Sequence, residues 1–391
     1  MEMKFADRLD YFEEGIFSVL NDKKNAMIAE GRTVYNMSVG TPDFKPAKHI
    51  MDAVSEACTK PELYKYALAD MPELLDAVIQ RYRARYGVEG ITREEVMSVY
   101  GSQEGISHIC MALCNPGDVI LVPNPGYPVF SAGPFLCGCQ IETYELRKEN
   151  HFIIEFDRIP EELARKAKVM IVSYPLNPVC VTAPARMYEE LIAFANKYNI
   201  IIIHDNAYSD IIYGGKVGRS FLSFEGAKEV GVEFYSLSKS YNYTGARMSF
   251  VVGNKEIISR FKKVRSQIDY GTFLPVQIGA IAALTGPQDA VIAQCEEYDR
   301  RNHALSEGMS AIGWNIPLSE GTMFSWAPIP EGFASSVDFV MELMDKTGLI
   351  VTPGSSFGSL GEGFVRLALI LPPEKIMEAV QAVKESGILN R

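Results

Sequence analysis

The sequence predicts an α/β protein with a large domain, built on a mostly parallel sheet between helices, and a smaller α+β domain. The chain has 391 residues, which is too long for one ordinary hydrophobic core, so two domains are expected. Between residues 95 and 255, short apolar runs alternate with helical stretches, as in a parallel sheet covered on both faces. The pattern then becomes mostly helical before strands return. We therefore predict an N-terminal arm with part of the small domain in 1–45, a large domain in 46–285 and a small C-terminal domain in 286–391.

Short apolar runs predict a seven-stranded sheet in the large domain. Each run has the length of a buried strand and is followed by a turn or a helical stretch. The runs cover residues 96–100, 119–122, 140–144, 169–173, 200–204, 233–235 and 248–252. Ligands of such sheets bind beyond the carboxyl ends of the strands, so the residues after these runs are the first candidates for chemistry.

Outside the sheet, the spacing of apolar residues predicts the remaining elements. Helices are expected over 5–30, 46–58, 72–86 and much of 255–313, and a short strand over 34–39. In the small domain we expect a strand over 322–326, a helix over 336–346, a strand over 364–370 and a final helix, with helix 5–30 packed beside them.

Composition argues against several classes of protein. The net charge is -11, and no basic face suits a nucleic-acid partner. The N-terminus lacks the pattern of a secretion signal, and no apolar run has the length of a bilayer span, so we expect a cytoplasmic protein with no membrane partner. The seven cysteines are scattered without zinc-type spacing, which predicts thiols and no metal site.

A lysine lies between small hydroxyl residues just after the run 233–235. Lys239 stands between Ser238 and Ser240, and Arg247 follows a glycine downstream. Lysine forms Schiff bases with carbonyl cofactors, while hydroxyls and a guanidinium are suited to phosphate. These residues suggest that Lys239 holds pyridoxal phosphate, with Ser236, Ser238 and Arg247 on the phosphate. A lysine in an ordinary solvated loop is the alternative.

An aspartate follows the apolar run 200–204. Asp205 at the end of a buried strand needs a cation or a hydrogen-bond donor, and a protonated pyridine nitrogen is one such group. Tyr208, three residues later, is within reach of a ring hydroxyl. The alternative is that Asp205 is the N-cap of a following helix.

Polar or aromatic residues also follow three other runs. Ser102 and Gln103 open a helix, whose N-terminus either binds an anion or is capped by the serine. Tyr127 lies in a Pro-Gly-Tyr-Pro turn that is able to present its ring for stacking on a flat cofactor. Asn177 lies in an Asn-Pro turn after the run 169–173.

One arginine stands inside an apolar run near the end of the chain. Arg366 lies within 364–369, and a buried guanidinium needs an anion. A structural carboxylate such as Glu362 is one candidate, and a substrate carboxylate held by two hydrogen bonds is the other.

The stretch 354–358 matches the G-x-S-x-G pattern of hydrolase nucleophiles. That motif requires a helix directly after it and a histidine later in the chain. More glycines follow instead, and the last histidine is His303. A serine hydrolase is therefore disfavoured.

In their order and in their positions at strand ends, these motifs resemble the fold-type I pyridoxal-phosphate aminotransferases of class I/II. The likeness spans 40–44 to the final helix and includes the Asn-Pro turn, Asp-x-x-Tyr, Ser-x-Ser-Lys with Gly-x-Arg, and a late arginine. The stretches 321–327 and 351–366 resemble the group that contains LL-diaminopimelate aminotransferases, a group with several substrates.

The resemblance implies a role for each candidate. Lys239 forms the internal aldimine and moves protons, Asp205 pairs with the ring nitrogen, and Asn177 and Tyr208 contact the ring oxygen. Tyr127 stacks on the ring. The residues implied at the phosphate are Ser102, Gln103, Ser236, Ser238, Arg247 and Tyr66 of a neighbouring subunit, so a homodimer is expected. The residues implied at the substrate carboxylate are Gly40, Asn177 and Arg366.

The implied reaction moves an amino group between an L-amino acid and a 2-oxo acid by a ping-pong mechanism. A carbon–sulfur β-lyase on the same fold is the first alternative, because it uses the same lysine. A non-catalytic regulator is the second, although the sequence offers no spare DNA-binding segment. The chain departs from the family pattern at Val179-Cys180, at Asp70-Met71 and at Ser249, and the first two departures border the expected substrate entrance.

Overall fold

The computed structural model describes residues 3–12, 16–216 and 218–390. The helices are α1 (Ile16–Ala29), α2 (Lys48–Cys58), α3 (Pro72–Tyr86), α4 (Ser102–Leu113), α5 (Val129–Leu136), α6 (Glu161–Lys166), α7 (Ala185–Tyr198), α8 (Ala227–Val230), α9 (Leu237–Ser240), α10 (Lys255–Arg265), α11 (Leu274–Thr285), α12 (Asp289–Ala311), α13 (Ser336–Thr347) and α14 (Pro373–Ser386). The strands are β1 (Tyr35–Asn36), β2 (Val96–Val99), β3 (Val119–Asn124), β4 (Gln140–Glu145), β5 (Ala167–Ser173), β6 (Ile201–Asp205), β7 (Gly231–Ser236), β8 (Ser249–Gly253), β9 (Phe324–Pro328), β10 (Leu349–Ile350), β11 (Thr352–Pro353) and β12 (Phe364–Ala368).

The chain forms two compact units. The large unit consists of Thr41–Asp299 and Ser319–Met323, and the small unit consists of Met1–Gly40, Arg300–Leu318 and Phe324–Arg391. The three domain ranges inferred from the sequence stay a prediction of how the chain is organised. Among the helices in the described ranges, none combines the length and the apolar character needed to cross a membrane.

The large unit contains a seven-stranded sheet in the order β2-β8-β7-β6-β5-β3-β4. All neighbours pair in parallel except at β8, which is antiparallel to both β2 and β7. The α/β class and the mostly parallel sheet predicted from the sequence are confirmed. The strands β2, β7 and β8 are buried throughout, which is why they appear as continuous apolar runs rather than as alternating patterns.

The direction of β8 determines which residues meet at one edge. Because β8 is antiparallel to both neighbours, β2 runs in the same direction as β7. The carboxyl ends of β2, β3, β5, β6 and β7 therefore lie along one edge, where β8 begins. Every large-unit residue singled out after a strand end belongs to a segment at this edge.

The small unit contains a three-stranded antiparallel sheet, β11-β12-β9, and a two-stranded parallel sheet, β1-β10. Trp326 on β9 stacks on Phe364 of β12 with ring centroids 5.1 Å apart. Phe364 is the first residue of β12, the strand that contains Arg366.

The prediction of one helix over 5–30 is wrong. A 3₁₀ helix covers Asp7–Tyr11, Phe12 has an extended backbone, and α1 begins at Ile16; residues 13–15 lie outside the described residues. Phe5 and Leu9 are 75% and 55% exposed, so the apolar spacing there is not supported by burial, which normally stabilises such helices. The strand expected over 34–39 is limited to Tyr35–Asn36, because its partner β10 also has two residues.

Candidate active site

Lys239 lies in the single turn α9, directly after the carboxyl end of β7. Ser236 is the N-cap of this turn, because its Oγ accepts a hydrogen bond from the Ser238 N–H at 3.2 Å. The Gln294 side-chain amide donates to the Lys239 carbonyl at 2.8 Å. The turn that contains Lys239 is thus held by a cap at its start and by a hydrogen bond to the lysine carbonyl, whereas a solvated loop would lack these contacts.

Arg247 approaches the start of α4. Its Nη1 donates to the Thr244 carbonyl at 2.9 Å, and its Nη2 lies 3.5 Å from the Tyr100 carbonyl oxygen. Gly101 has φ of 85°, and a Cβ at that position would lie 2.8 Å from the guanidinium carbon. Glycine is therefore required twice at residue 101, for its backbone conformation and for the close approach of the guanidinium.

The N-terminus of α4 is open to an anion. Gly101 provides no side-chain cap for the first N–H groups of the helix, and the Arg247 guanidinium lies beside Gly101. Ser102 Oγ is buried and has no hydrogen-bond partner within the described parts of the chain. Tyr127 Oη donates to Gln103 Oε1 at 3.2 Å, which connects the turn after β3 to the same helix start. A serine cap, the alternative for Ser102, is not what the structure shows.

Asp205 is the last residue of β6 and is only 7% exposed. Burial, and then the nearby carboxyl group of Glu233, raise the pKa of Asp205 to about 7. Its Oδ1 is buried without a hydrogen-bond partner in the ranges that the structure covers. A turn rather than a helix follows Asp205 in the described residues 206–216, so the N-cap alternative is wrong.

Glu233 forms a buried polar cluster that the sequence did not reveal. The side chain is 0% exposed and its two oxygens accept five hydrogen bonds at 2.7–3.1 Å. The groups bonded to it are Tyr82 Oη, His204 Nδ1, Asn206 Nδ2, Ser220 Oγ and the Phe221 N–H. A glutamate in a short apolar run gives no signal of this role, because its partners come from distant segments.

Asn177 and Tyr208 are both buried in the large unit, at 6% and 7% exposure. Asn177 follows β5 and Tyr208 follows β6, and these strands are neighbours in the sheet. Cys180, one of the departures from the family pattern, has φ of 62°, and its Sγ accepts from Thr322 Oγ1 at 3.2 Å. The left-handed backbone explains why glycine suits this position.

In the small unit, Arg366 on β12 is 5% exposed. Its Nη2 donates to the Ser38 carbonyl at 2.9 Å, and its guanidinium lies 4.2 Å from the ring centroid of Phe324. Glu362, the structural alternative, instead accepts from the N–H and Oγ of Ser336. Gly40, also in the small unit, lies near the same Phe324 ring, since a Cβ at residue 40 would be 3.2 Å from it.

The Gly-Ser-Ser-Phe stretch of the hydrolase-like pattern is a 3₁₀ helix, Gly354–Phe357, preceded by the two-residue strand β11. Gly358, with φ of 119°, ends it. This is not the strand, sharp turn and long helix that the nucleophile motif requires.

Comparison with known proteins agrees with this geometry. The model of the family described as aminotransferase class I and II matches residues 32–383. This chain belongs to that family, whose enzymes depend on pyridoxal phosphate, and it is an aminotransferase.

Individual relatives and solved structures are similar to nearly the whole chain. It is 40% identical over 387 residues to the LL-diaminopimelate aminotransferase of Halothermothrix orenii, covering 99% of each chain. It is also similar to the substrate-bound BacF structure from Bacillus subtilis, with TM-score 0.93, 33% identity and 98% of each chain covered. A probable N-succinyldiaminopimelate aminotransferase from Thermus thermophilus gives TM-score 0.90 and 32% identity, over 95% of this chain and 100% of that one.

Proposed function

We propose that this enzyme transfers an amino group between an L-amino acid and a 2-oxo acid, with pyridoxal phosphate held on Lys239. One observation carries the proposal: the buried Oδ1 of Asp205, without a partner in the described ranges, lies at the sheet edge that also contains the segment of Lys239. A buried carboxylate oxygen in that position requires a donor.

The residues present fit this cofactor. Asp205 suits the ring nitrogen, and the open end of α4 with Ser102 Oγ and Arg247 suits the phosphate. When bound, pyridoxal phosphate supplies an aldehyde for Schiff-base formation and an electron-withdrawing ring.

The side chains then have separate tasks. The Lys239 amine, once released, would remove the α-proton of the amino acid. It would then deliver a proton to the carbon that was the aldehyde carbon of the cofactor. Asp205, as a carboxylate, keeps the ring nitrogen protonated, while Asn177 and Tyr208 bind the ring oxygen. Arg366 binds the substrate carboxylate with two parallel hydrogen bonds. Because one site serves donor and acceptor in turn, the kinetics are ping-pong.

The names of the relatives suggest the first amino donor to test. We propose LL-diaminopimelate, with 2-oxoglutarate as acceptor, and glutamate formation as the measurement. Alanine, aspartate and aromatic amino acids complete the panel, and Lys239→Ala is the inactive control. Absence of glutamate with every donor, together with release of pyruvate and ammonia from cystathionine, would replace this proposal with a β-lyase.

The cofactor has its own test. The purified protein should show a visible absorbance band. Borohydride reduction should abolish this band and leave the cofactor covalently attached to the peptide that contains Lys239. A colourless protein that pyridoxal phosphate does not reconstitute would contradict the proposal. A cytoplasmic location stays a prediction.

An exposed apolar patch on the large unit supports a homodimer. Its residues come from two loops, and their exposures run from 40% to 78%. The patch consists of Tyr64, Tyr66, Leu68, Ile268, Tyr270 and Phe273. The rings of Tyr66 and Tyr270 lie 5.1 Å apart, so the loops present one surface. Patches of this kind mark protein interfaces, and we propose that a second copy covers it.

The dimer is tested by sedimentation at low micromolar concentration. Leu68→Asp, at the most exposed residue of the patch, should give monomers, while Met111→Asp, at an exposed apolar residue on α4, should leave the dimer intact. Tyr66→Phe should keep the dimer and weaken cofactor binding only, because it removes the hydroxyl that we assign to the partner's phosphate site. A wild-type monomer would refute the assignment.

A further inference from the structure

The hydroxyl of Ser236 has both of its acceptor positions filled. Its Oγ accepts from the Ser238 N–H at 3.2 Å and from Ser249 Oγ at 2.9 Å. A serine hydroxyl offers two lone pairs and one O–H donor. With two donors already directed at this oxygen, the proton is the only group that Ser236 has left for a further partner.

Ser249 is held so that its own proton goes to Ser236. It is 0% exposed, begins β8 and lies directly opposite Ser236 in the antiparallel β7–β8 pair. Side chains of directly opposite residues lie on the same face of the sheet, close enough to interact. On its other side β8 pairs with β2, where Ser249 is opposite Val99, so the backbone of Ser249 is fixed between two strands.

Ser249 comes two residues after Arg247, at one of the positions where the sequence departs from the family pattern. A residue without a hydroxyl would leave one lone pair of Ser236 open, and the Ser236 hydroxyl would then be free to turn. The hydrogen bond from Ser249 restricts the rotation of the Ser236 hydroxyl.

We propose that Ser249 is a positioning residue that directs the Ser236 O–H toward the phosphate of the cofactor. This inference rests on the proposed function, since it requires pyridoxal phosphate at the β7 end. A charged phosphate oxygen is a strong acceptor, and a donor already oriented toward it loses less freedom on binding. Ser249 acts only through Ser236 and does not itself touch the ligand.

The test compares two ligands that differ by the phosphate alone. Cofactor-free wild type and Ser249→Ala are titrated with pyridoxal phosphate and with pyridoxal. We expect Ser249→Ala to bind pyridoxal phosphate about three- to tenfold more weakly and pyridoxal equally well. In the background of Ser236→Ala, the second change Ser249→Ala should have no further effect, because the hydroxyl through which it acts is gone.

A matched control removes a comparable hydroxyl elsewhere. Ser306 is 9% exposed and donates to the Ile316 carbonyl at 2.6 Å in the small unit, so Ser306→Ala should leave both affinities unchanged. Should Ser249→Ala not fold, Ser249→Cys keeps the size of the side chain with a weaker donor and gives the same comparison.

The outcomes separate the two claims. Equal weakening for both ligands, or additive effects of Ser236→Ala and Ser249→Ala, would overturn the role of Ser249 and leave it a structural residue. A wild-type protein that binds pyridoxal as tightly as pyridoxal phosphate would instead overturn the phosphate site itself.

Discussion

Asp205→Asn should make the cofactor-free enzyme more stable at pH 8 and leave its stability at pH 4 nearly unchanged. Burial and the carboxyl group of Glu233 raise the pKa of Asp205 from 3.8 to about 7. The unfolded chain therefore releases this proton near pH 4, whereas the folded chain retains it until about pH 7. Raising the pH through that window favours unfolding, because the folded state binds more protons there.

The magnitude follows from the difference of about three pH units between 3.8 and 7. At about 1.4 kcal/mol per unit, Asp205 lowers the free energy of unfolding by at most about 4 kcal/mol at pH 8. Asparagine has the same shape and no proton to lose, so it removes this penalty. It also removes the negative charge proposed to hold the ring nitrogen, and transaminase activity should be lost.

The assay is urea unfolding of the cofactor-free protein at pH 4 and at pH 8. Asp157→Asn, at an exposed aspartate, is the matched control and should give the wild-type pH trend. Saturating pyridoxal phosphate should raise the unfolding temperature of wild type more than that of Asp205→Asn. The reasoning fails if Asp205→Asn destabilises the protein equally at both pH values, or if it keeps the wild-type trend.

Three further predictions concern glycine, strain and the buried cluster. Gly101→Ala should lower the affinity for pyridoxal phosphate at least about tenfold, because the added Cβ displaces the Arg247 guanidinium. Gly117→Ala is the control: φ is 89° there and the surrounding space is open, so the change should cost only about 1 kcal/mol of stability. Cys180→Gly should be more stable than Cys180→Ala by about 1 kcal/mol in thermal unfolding, since φ is 62°, and the reverse order would show that the backbone is unstrained. Tyr82→Phe, which removes a hydrogen-bond donor to the buried Glu233 side chain, should lower the free energy of unfolding by about 1.5–3 kcal/mol. Tyr144→Phe, whose hydroxyl donates to a backbone carbonyl, should lower it by about 0.5–1.5 kcal/mol, and equal losses in the two variants would contradict this prediction.

The sequence predicted much of the large sheet because its strands are short and all but β4 are mostly buried. Runs at 119–122 and 200–204 became β3 and β6 within one or two residues at each end. The antiparallel direction of β8 was not predictable, since pairing depends on segments far apart in the chain. That direction decides which end of β8 meets the carboxyl ends of the other strands.

The candidate residues were found from polar side chains directly after apolar runs, and this signal has a physical limit. It finds Asp205, the last residue of β6, and Lys239, which follows β7, but not Glu233, which lies in the middle of β7. It also misses Gly101, since only the position of Arg247 shows why a side chain is excluded there. Helix 5–30 failed for the opposite reason, because apolar spacing was present and burial was not.

The small unit is built from three separate segments of the chain, and this has a consequence during synthesis. The Ser38 carbonyl and its donor Arg366 are separated by 328 residues, and β1 pairs with the late strand β10. At about 5–20 residues per second, a ribosome needs roughly 16–65 s to make the intervening chain. During that interval the nascent N-terminal segment lacks these partners. Its apolar side chains include Met37, which is fully buried in the folded protein. Chaperone dependence and premature aggregation should therefore concentrate in these first 40 residues.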